Sequence, residues 1–274
     1  MKKIIAFALA GISVTSISYA ENRLFPTDIL NAGEFDANAS VEFQSLSYDV
    51  RFAGNPGSRS VDISRESVGA RYGLGANWHI GASINYDSRH VVRTDFSAPP
   101  AHFVNRDSEG TNNPYLWASY GFINDKANPL SLSGQLFVAP NTTHAPSTYG
   151  GKLAAGWVSS KTLRFFGVYA KEIASDSGVA DKDSISIGAY KDISSTITLV
   201  PSARYQRFSS TDTFSSVKQL SVSLAAHVQV SGNTYLIPSI TNYRNSSGHS
   251  KDGLFQMDST GNGTAVQLSL YHLF

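Results

Sequence analysis

The chain has no cysteine. It therefore holds no disulfide and no thiolate metal site, and the lipid-anchored export route that modifies a cysteine is closed to it. Charge is sparse too: 16% of the residues are Asp, Glu, Lys or Arg, against about 25% in ordinary soluble domains. Bases and acids nearly cancel, 22 against 21, so the basic face that nucleic-acid binding needs is missing. No stretch after residue 20 approaches the run of about 20 apolar residues that a membrane-crossing helix requires. Nor does any stripe at 3.6-residue spacing mark an amphipathic helix. The sequence contains no H-E-x-x-H, no EF-hand loop and no G-x-S-x-G. The expectation is accordingly no metal, no cofactor and no catalytic residue.

What is present begins with the leader "MKKIIAFALAGISVTSISYA". Lys2 and Lys3 precede the apolar run 4–12, and Ser18-Tyr19-Ala20 offers small residues at −3 and −1. This three-part pattern reads as a secretory signal peptide cleaved after residue 20. Residues 21–34 then form a short periplasmic lead, and 35–274 one domain.

Aromatic residues are abundant, with 13 Tyr, 15 Phe and 3 Trp, and apolar residues recur at period 2 almost throughout, as in half-buried strands. Twelve strands are expected, near 35–49, 66–74, 79–87, 114–122, 130–138, 149–158, 162–172, 184–191, 196–207, 220–230, 235–243 and 264–274. The connections decide the class. Those at 75–77, 124–126, 159–161, 192–194 and 231–233 are short. Those near 53–61, 88–112, 139–148, 173–183, 208–216 and 244–262 are mostly longer, and richer in Gly, Ser, Asn and Pro. Short and long connections alternating over an even number of strands define a transmembrane β-barrel with both termini on the short-turn side. Lipid leaves no water for unpaired backbone groups, so strands cross it only as a closed ring. The expected fold is all-β: one antiparallel, up-and-down transmembrane barrel of about twelve strands.

The chain ends "AVQLSLYHLF", an alternating strand that finishes on Phe274. This ending resembles the terminal signal of Gram-negative outer-membrane β-barrels, with His272 where that family often has Tyr. The resemblance implies insertion by the barrel-assembly machinery, through the strand ending in Phe274, into the bacterial outer membrane, among its lipid and lipopolysaccharide. More narrowly, "ENRLFPTDILNAGEFDANASVEF" resembles the start of transporter-like barrels grouped with phenol-degradation (MetA-pathway) proteins. That resemblance implies passage of small organic molecules and supplies no site residues.

Polar positions in such a barrel alternate towards the lumen. The parity of each strand places Glu42, Arg71, His79, Asp87, Lys152, Arg164, Arg204, His227 and Gln229 inward as candidate pore-lining groups. "LVPSARY" (199–205) and "LIPSITNY" (236–243) echo each other. Pro201 and Pro238 are candidate strand breaks, because proline cannot donate to the ladder; a bulge would be one form of such a break. His90, His102, His144 and His249 fall in expected outer loops. The functional expectation is a non-enzymatic channel for small solutes, gated by the 88–112 and 244–262 loops. The alternatives are a lipid-modifying barrel enzyme and an adhesive barrel acting through its loops.

Overall fold

A computed structural model describes residues 24–96, 104–124, 128–141, 146–258 and 261–274, with the backbone alone at 104–106. The leader 1–20 lies outside the described residues, as do His102, His144 and parts of the connections around 97–103, 125–127, 142–145 and 259–260.

Alternation becomes a ring of strands: β1 (Phe35–Phe52), β2 (Asn55–Gly75), β3 (Trp78–Phe96), β4 (Val104–Thr111), β5 (Tyr115–Ile123), β6 (Leu130–Ala139), β7 (Thr148–Ser160), β8 (Leu163–Ala174), β9 (Lys182–Asp192), β10 (Ile197–Phe208), β11 (Val217–Ser231), β12 (Thr234–Asn245), β13 (Gly248–His249), β14 (Phe255–Met257) and β15 (Asn262–Leu273). Twelve of these close the barrel. β4 runs into β5 along β3, while β13 and β14 belong to the last long connection. All pairings are antiparallel, barrel strands that follow one another along the chain lie side by side, and β15 closes on β1 from Asp36↔Leu273 to Ser47↔Asn262.

Closure explains why the chain can end on a strand. Phe274 donates its backbone N–H to the Phe35 carbonyl at 2.8 Å, and the two rings lie 5.3 Å apart. Around the same end, Trp78 packs on Tyr120 and Trp157 on Phe165. All four face outward, a girdle of the kind that sits at a membrane interface. Between this girdle and the far end, the outer face exposes Val41, Val68, Ile80, Leu136, Leu153, Ile187, Val222, Ile240 and Leu268. So much exposed aliphatic surface on a closed ring is what hydrocarbon, and not water, accommodates.

Two expected outer loops are corrected. Residues 53–61 are not a loop: β1 and β2 continue to a two-residue hairpin in which Ala53 and Gly54 both have positive φ (49° and 84°), the backbone that a tight hairpin turn demands. Of 88–112, residues 88–96 and 104–111 are also strand, pairing as β3 and β4. β2 has 21 residues, whereas crossing takes about 9–11. These first strands therefore project well beyond the membrane, and the last long connection protects the projecting edge of β1: β14 pairs with Val50–Phe52, β13 pairs with β14, and Ala53 donates to the Leu254 carbonyl. Pairing removes an edge open to other chains. His249, expected in a loop, is in β13.

Neither proline makes a bulge. The β9–β10 ladder lacks the pairs at Val200 and Pro201, and resumes in the same register at Ser202↔Gly188. The β11–β12 ladder likewise skips Ile237 and Pro238 between Ser239 and Leu236. Each proline costs local pairing, and the strand order continues unchanged.

Candidate functional site: the barrel lumen

Residues 24–34 sit inside the barrel. The turn Phe25-Pro26-Thr27-Asp28 is closed by the Asp28 N–H on the Phe25 carbonyl (2.9 Å) and by the Phe25 N–H on Asp28 Oδ2 (2.8 Å). From this turn the segment reaches the wall on several sides. Tyr190 on β9 donates its hydroxyl to the Leu24 carbonyl at 2.7 Å. Thr27 Oγ1 meets Ser131 Oγ on β6 at 2.7 Å, and the Leu30 N–H points at His79 Nδ1 on β3 at 3.4 Å. Leu30 packs with Tyr235, Tyr271 and Leu273. Phe25 packs edge-on against Phe166 and Tyr190, beside Val200.

Phe25, Ile29 and Leu30 are buried, which contributes roughly 1.5–3 kcal/mol for each side chain. Glycines make the room. A Cβ on Gly156 would strike the Phe25 ring and Ser131 Oγ, and one on Gly73 would strike the Asn31 carbonyl. Gly73 also exchanges backbone hydrogen bonds with Gly33 and Glu34, each 2.9 Å, which ties the segment to the foot of β2.

The segment divides the lumen. Towards the long connections lies a cavity of about 600 Å³, floored by Leu24, Phe25, Pro26, Asp28 and Ile29. Towards the short turns lies a second, of about 470 Å³, lined by Thr27, Asn124, Arg164, Thr198, His227 and Gln229. Phe25 and Asp28 border both.

The register puts the candidate groups Glu42, Arg71, His79, Asp87, Lys152, Arg164, Arg204, His227 and Gln229 on one face of the closed sheet. They share cross-strand rows with Gln267, Asp36, Gly73, Arg65, Gln135, Tyr190, Ser221, Thr198 and Tyr235 respectively. The apolar girdle and belt occupy the other face. Within the lumen the charges are not equivalent. Arg71 bonds the buried Asp36, its Nη2 2.5 Å from Oδ2, and Tyr271 donates its hydroxyl to the same carboxylate at 2.9 Å. Arg65 grips Asp87 at 2.7 and 3.2 Å, and Lys182 meets Glu172 at 2.7 Å.

Lys152, Arg164 and Arg204 form no ion pair among the described residues. Lys152 lies over the rings of Tyr115 and Phe137, 5.2 and 5.6 Å from their centroids. Arg164 lies 5.3 Å from the ring centres of both Phe25 and Tyr190. Among the described residues, the Arg204 guanidinium donates to Ser184 Oγ at 3.3 Å. Among the described residues, Glu42 has no ion pair, and Asp192 accepts the Thr198 hydroxyl (2.7 Å).

Sequence reasoning missed the wall opposite these polar rows. Tyr115 stacks on Phe137 at 4.9 Å, Tyr115 meets Trp117 at 5.4 Å, and Gln135 donates to the Tyr115 hydroxyl at 3.2 Å. Trp117 lies flat over Gly81, which leaves it that space. A rule that sends aromatic residues to lipid has no place for them. A glycine opposite a tryptophan in register was the one available signal.

The described histidines do not gather with acids. His79 faces Leu30, His272 Nδ1 is 2.8 Å from Thr234 Oγ1, and the buried His227 Nδ1 has no hydrogen-bond partner among the described residues. Among the described residues, no three His, Asp or Glu side chains gather as a metal site.

No family model and no curated protein matches this sequence. Solved structures do match its fold. An outer-membrane channel from Pseudomonas putida F1 superposes with a TM-score of 0.58 at 11% identity, covering 96% of this chain and all of that one. The translocator domain of the autotransporter NalP from Neisseria meningitidis gives 0.51 at 11% identity, covering 90% of each chain. The fold is thereby fixed: a closed, twelve-stranded antiparallel β-barrel, which those two outer-membrane proteins share.

Proposed function

We propose that this barrel is an outer-membrane channel for small organic anions, held shut at rest by its own N-terminal segment, and that it is not an enzyme. One observation carries the reading: polar cavities lie on two sides of the inserted segment 24–34, and its Phe25 and Asp28 border both. A wall that merely filled the barrel would leave no such pair of cavities. Lys152, which lines the larger cavity, supports the choice of charge, because it forms no ion pair among the described residues. The aromatic wall beneath Lys152 supports an organic solute over a simple ion, since a ring can stack there while its carboxylate meets the ammonium.

In this reading the chain is exported by the cleaved leader 1–20 and assembled through the strand ending in Phe274. The P. putida protein is a channel by its own description, and that supports the reading by analogy of fold only. The test is electrical. Purified protein in a planar bilayer should show brief, discrete openings whose reversal potential in a salt gradient reports anion preference. A folded barrel with no openings under any voltage, or one preferring cations, would overturn it.

A further inference from the structure

The outer face carries its own cluster of bases. Arg207 is the penultimate residue of β10, Lys218 the second of β11 and Arg244 the penultimate of β12. All three are exposed. Their strand neighbours Gln206, Gln219 and Asn245 turn into the barrel, where Gln219 donates to Asn245 Oδ1 at 2.9 Å, so the bases point out. Arg207 stands directly opposite Lys218, and Arg244, opposite Leu220, lies on the diagonal from Lys218.

Directly opposed residues on one sheet face have Cβ atoms about 5 Å apart, and like charges so placed repel. None of the three forms an ion pair among the described residues. The one acid in the row, Asp183, lies across from Arg207 on β9 and already accepts the Tyr169 hydroxyl at 3.2 Å. Below the cluster, Tyr205, Leu220, Val222 and Ile240 are exposed. The cluster thus sits where the apolar belt ends, on the side of the long connections, which in a barrel of this kind is the outer leaflet's headgroup level.

We propose that Arg207, Lys218 and Arg244 bind the phosphate of an outer-leaflet glycolipid, with its acyl chains lying along the belt below. Three bases converging from three strands match one dianionic phosphate by charge-assisted hydrogen bonds, and the anion relieves their mutual repulsion. This site lies on the opposite face of the sheet from the lumen, and it does not rest on the channel reading.

The test titrates the detergent-solubilised protein with diphosphoryl lipid A and reads bound lipid by native mass spectrometry. The triple variant Arg207→Gln, Lys218→Gln, Arg244→Gln should bind on the order of a hundredfold more weakly, from roughly fivefold for each base lost near an anionic surface. Lys218→Gln alone should lose about fivefold, which keeps the test decisive if the triple variant does not fold. Lys191→Gln, an exposed base at the short-turn end, should leave binding unchanged. Lipid A stripped of its phosphates should bind the wild type no better than the triple variant. Unaltered binding by Lys218→Gln would overturn the proposal. Full displacement of the lipid by millimolar inorganic phosphate would also overturn it, since the site would then be one for a free anion.

Discussion

The two lumen cavities share a wall but not a chemistry. The larger, on the side of the long connections, joins rows of Ser, Asn and Gln to an aromatic wall under Lys152. The smaller is built partly from turns, and sets Arg164 among Asp28, Asp192 and Lys161. Twelve strands form one continuous ring, and in the proposed reading the sheet itself is not what closes the path. In that reading, closure comes from a short segment that belongs to no strand. This separates two tasks. The barrel supplies a stable wall, with part of its charge cancelled in pairs such as Arg71–Asp36. The inserted segment supplies a partition held by a few aromatic and hydroxyl contacts.

That division can be broken on either side. The largest effect is expected in the wall: Arg71→Ala strands the buried Asp36 without its cation and should destabilise the barrel by roughly 3–5 kcal/mol, read as a lower urea midpoint of the folded form. In the partition, Phe25→Ala deletes a ring held between Phe166, Tyr190 and Arg164. The segment should lose about 3 kcal/mol or more of docking energy, and channel openings should become longer while the urea midpoint barely moves. Gly156→Val reaches the same state from the wall side, by filling the space the Phe25 ring occupies.

Within the large cavity, Lys152→Glu puts an acid under the solute's path and should reverse the sign of the reversal potential. The matching change at Arg164, which is covered by Phe25 and Tyr190, should shift it less. The smallest effect is expected at Thr27→Ala. It removes one hydroxyl contact with Ser131, worth about 0.5–1.5 kcal/mol, and should raise open probability modestly.

Much of the wall was legible in the sequence. Period-2 alternation and the rhythm of short and long connections define the closed ring, because lipid forbids open edges. Parity also assigns a face to groups such as Glu42 and Arg204. The projections of β1–β3 were not legible: "GNPGSRS" at 54–60 and the polar run after Asp87 carry loop-like composition, yet strand neighbours override local preference. The partition was invisible for a different reason. "LFPTDILNAGE" has no period, and its partners lie far along the chain, Ser131 104 residues from Thr27 and Tyr190 166 residues from Leu24. Contacts of that separation leave no local signal. The inward aromatics Tyr115, Trp117 and Phe137 were missed because a lumen with an aromatic wall breaks the rule that defines the outer face.

The most direct test of the partition uses the absence of native cysteine. Thr27→Cys with Ser131→Cys places the only two thiols where the hydroxyl oxygens are 2.7 Å apart, within reach of a disulfide. Single-channel current is then recorded on the same preparation, oxidised and then reduced. The account predicts silence when the segment is locked, and openings restored by reductant. Equal current in both states, with the disulfide verified by mass, would show that residues 24–34 do not close the lumen.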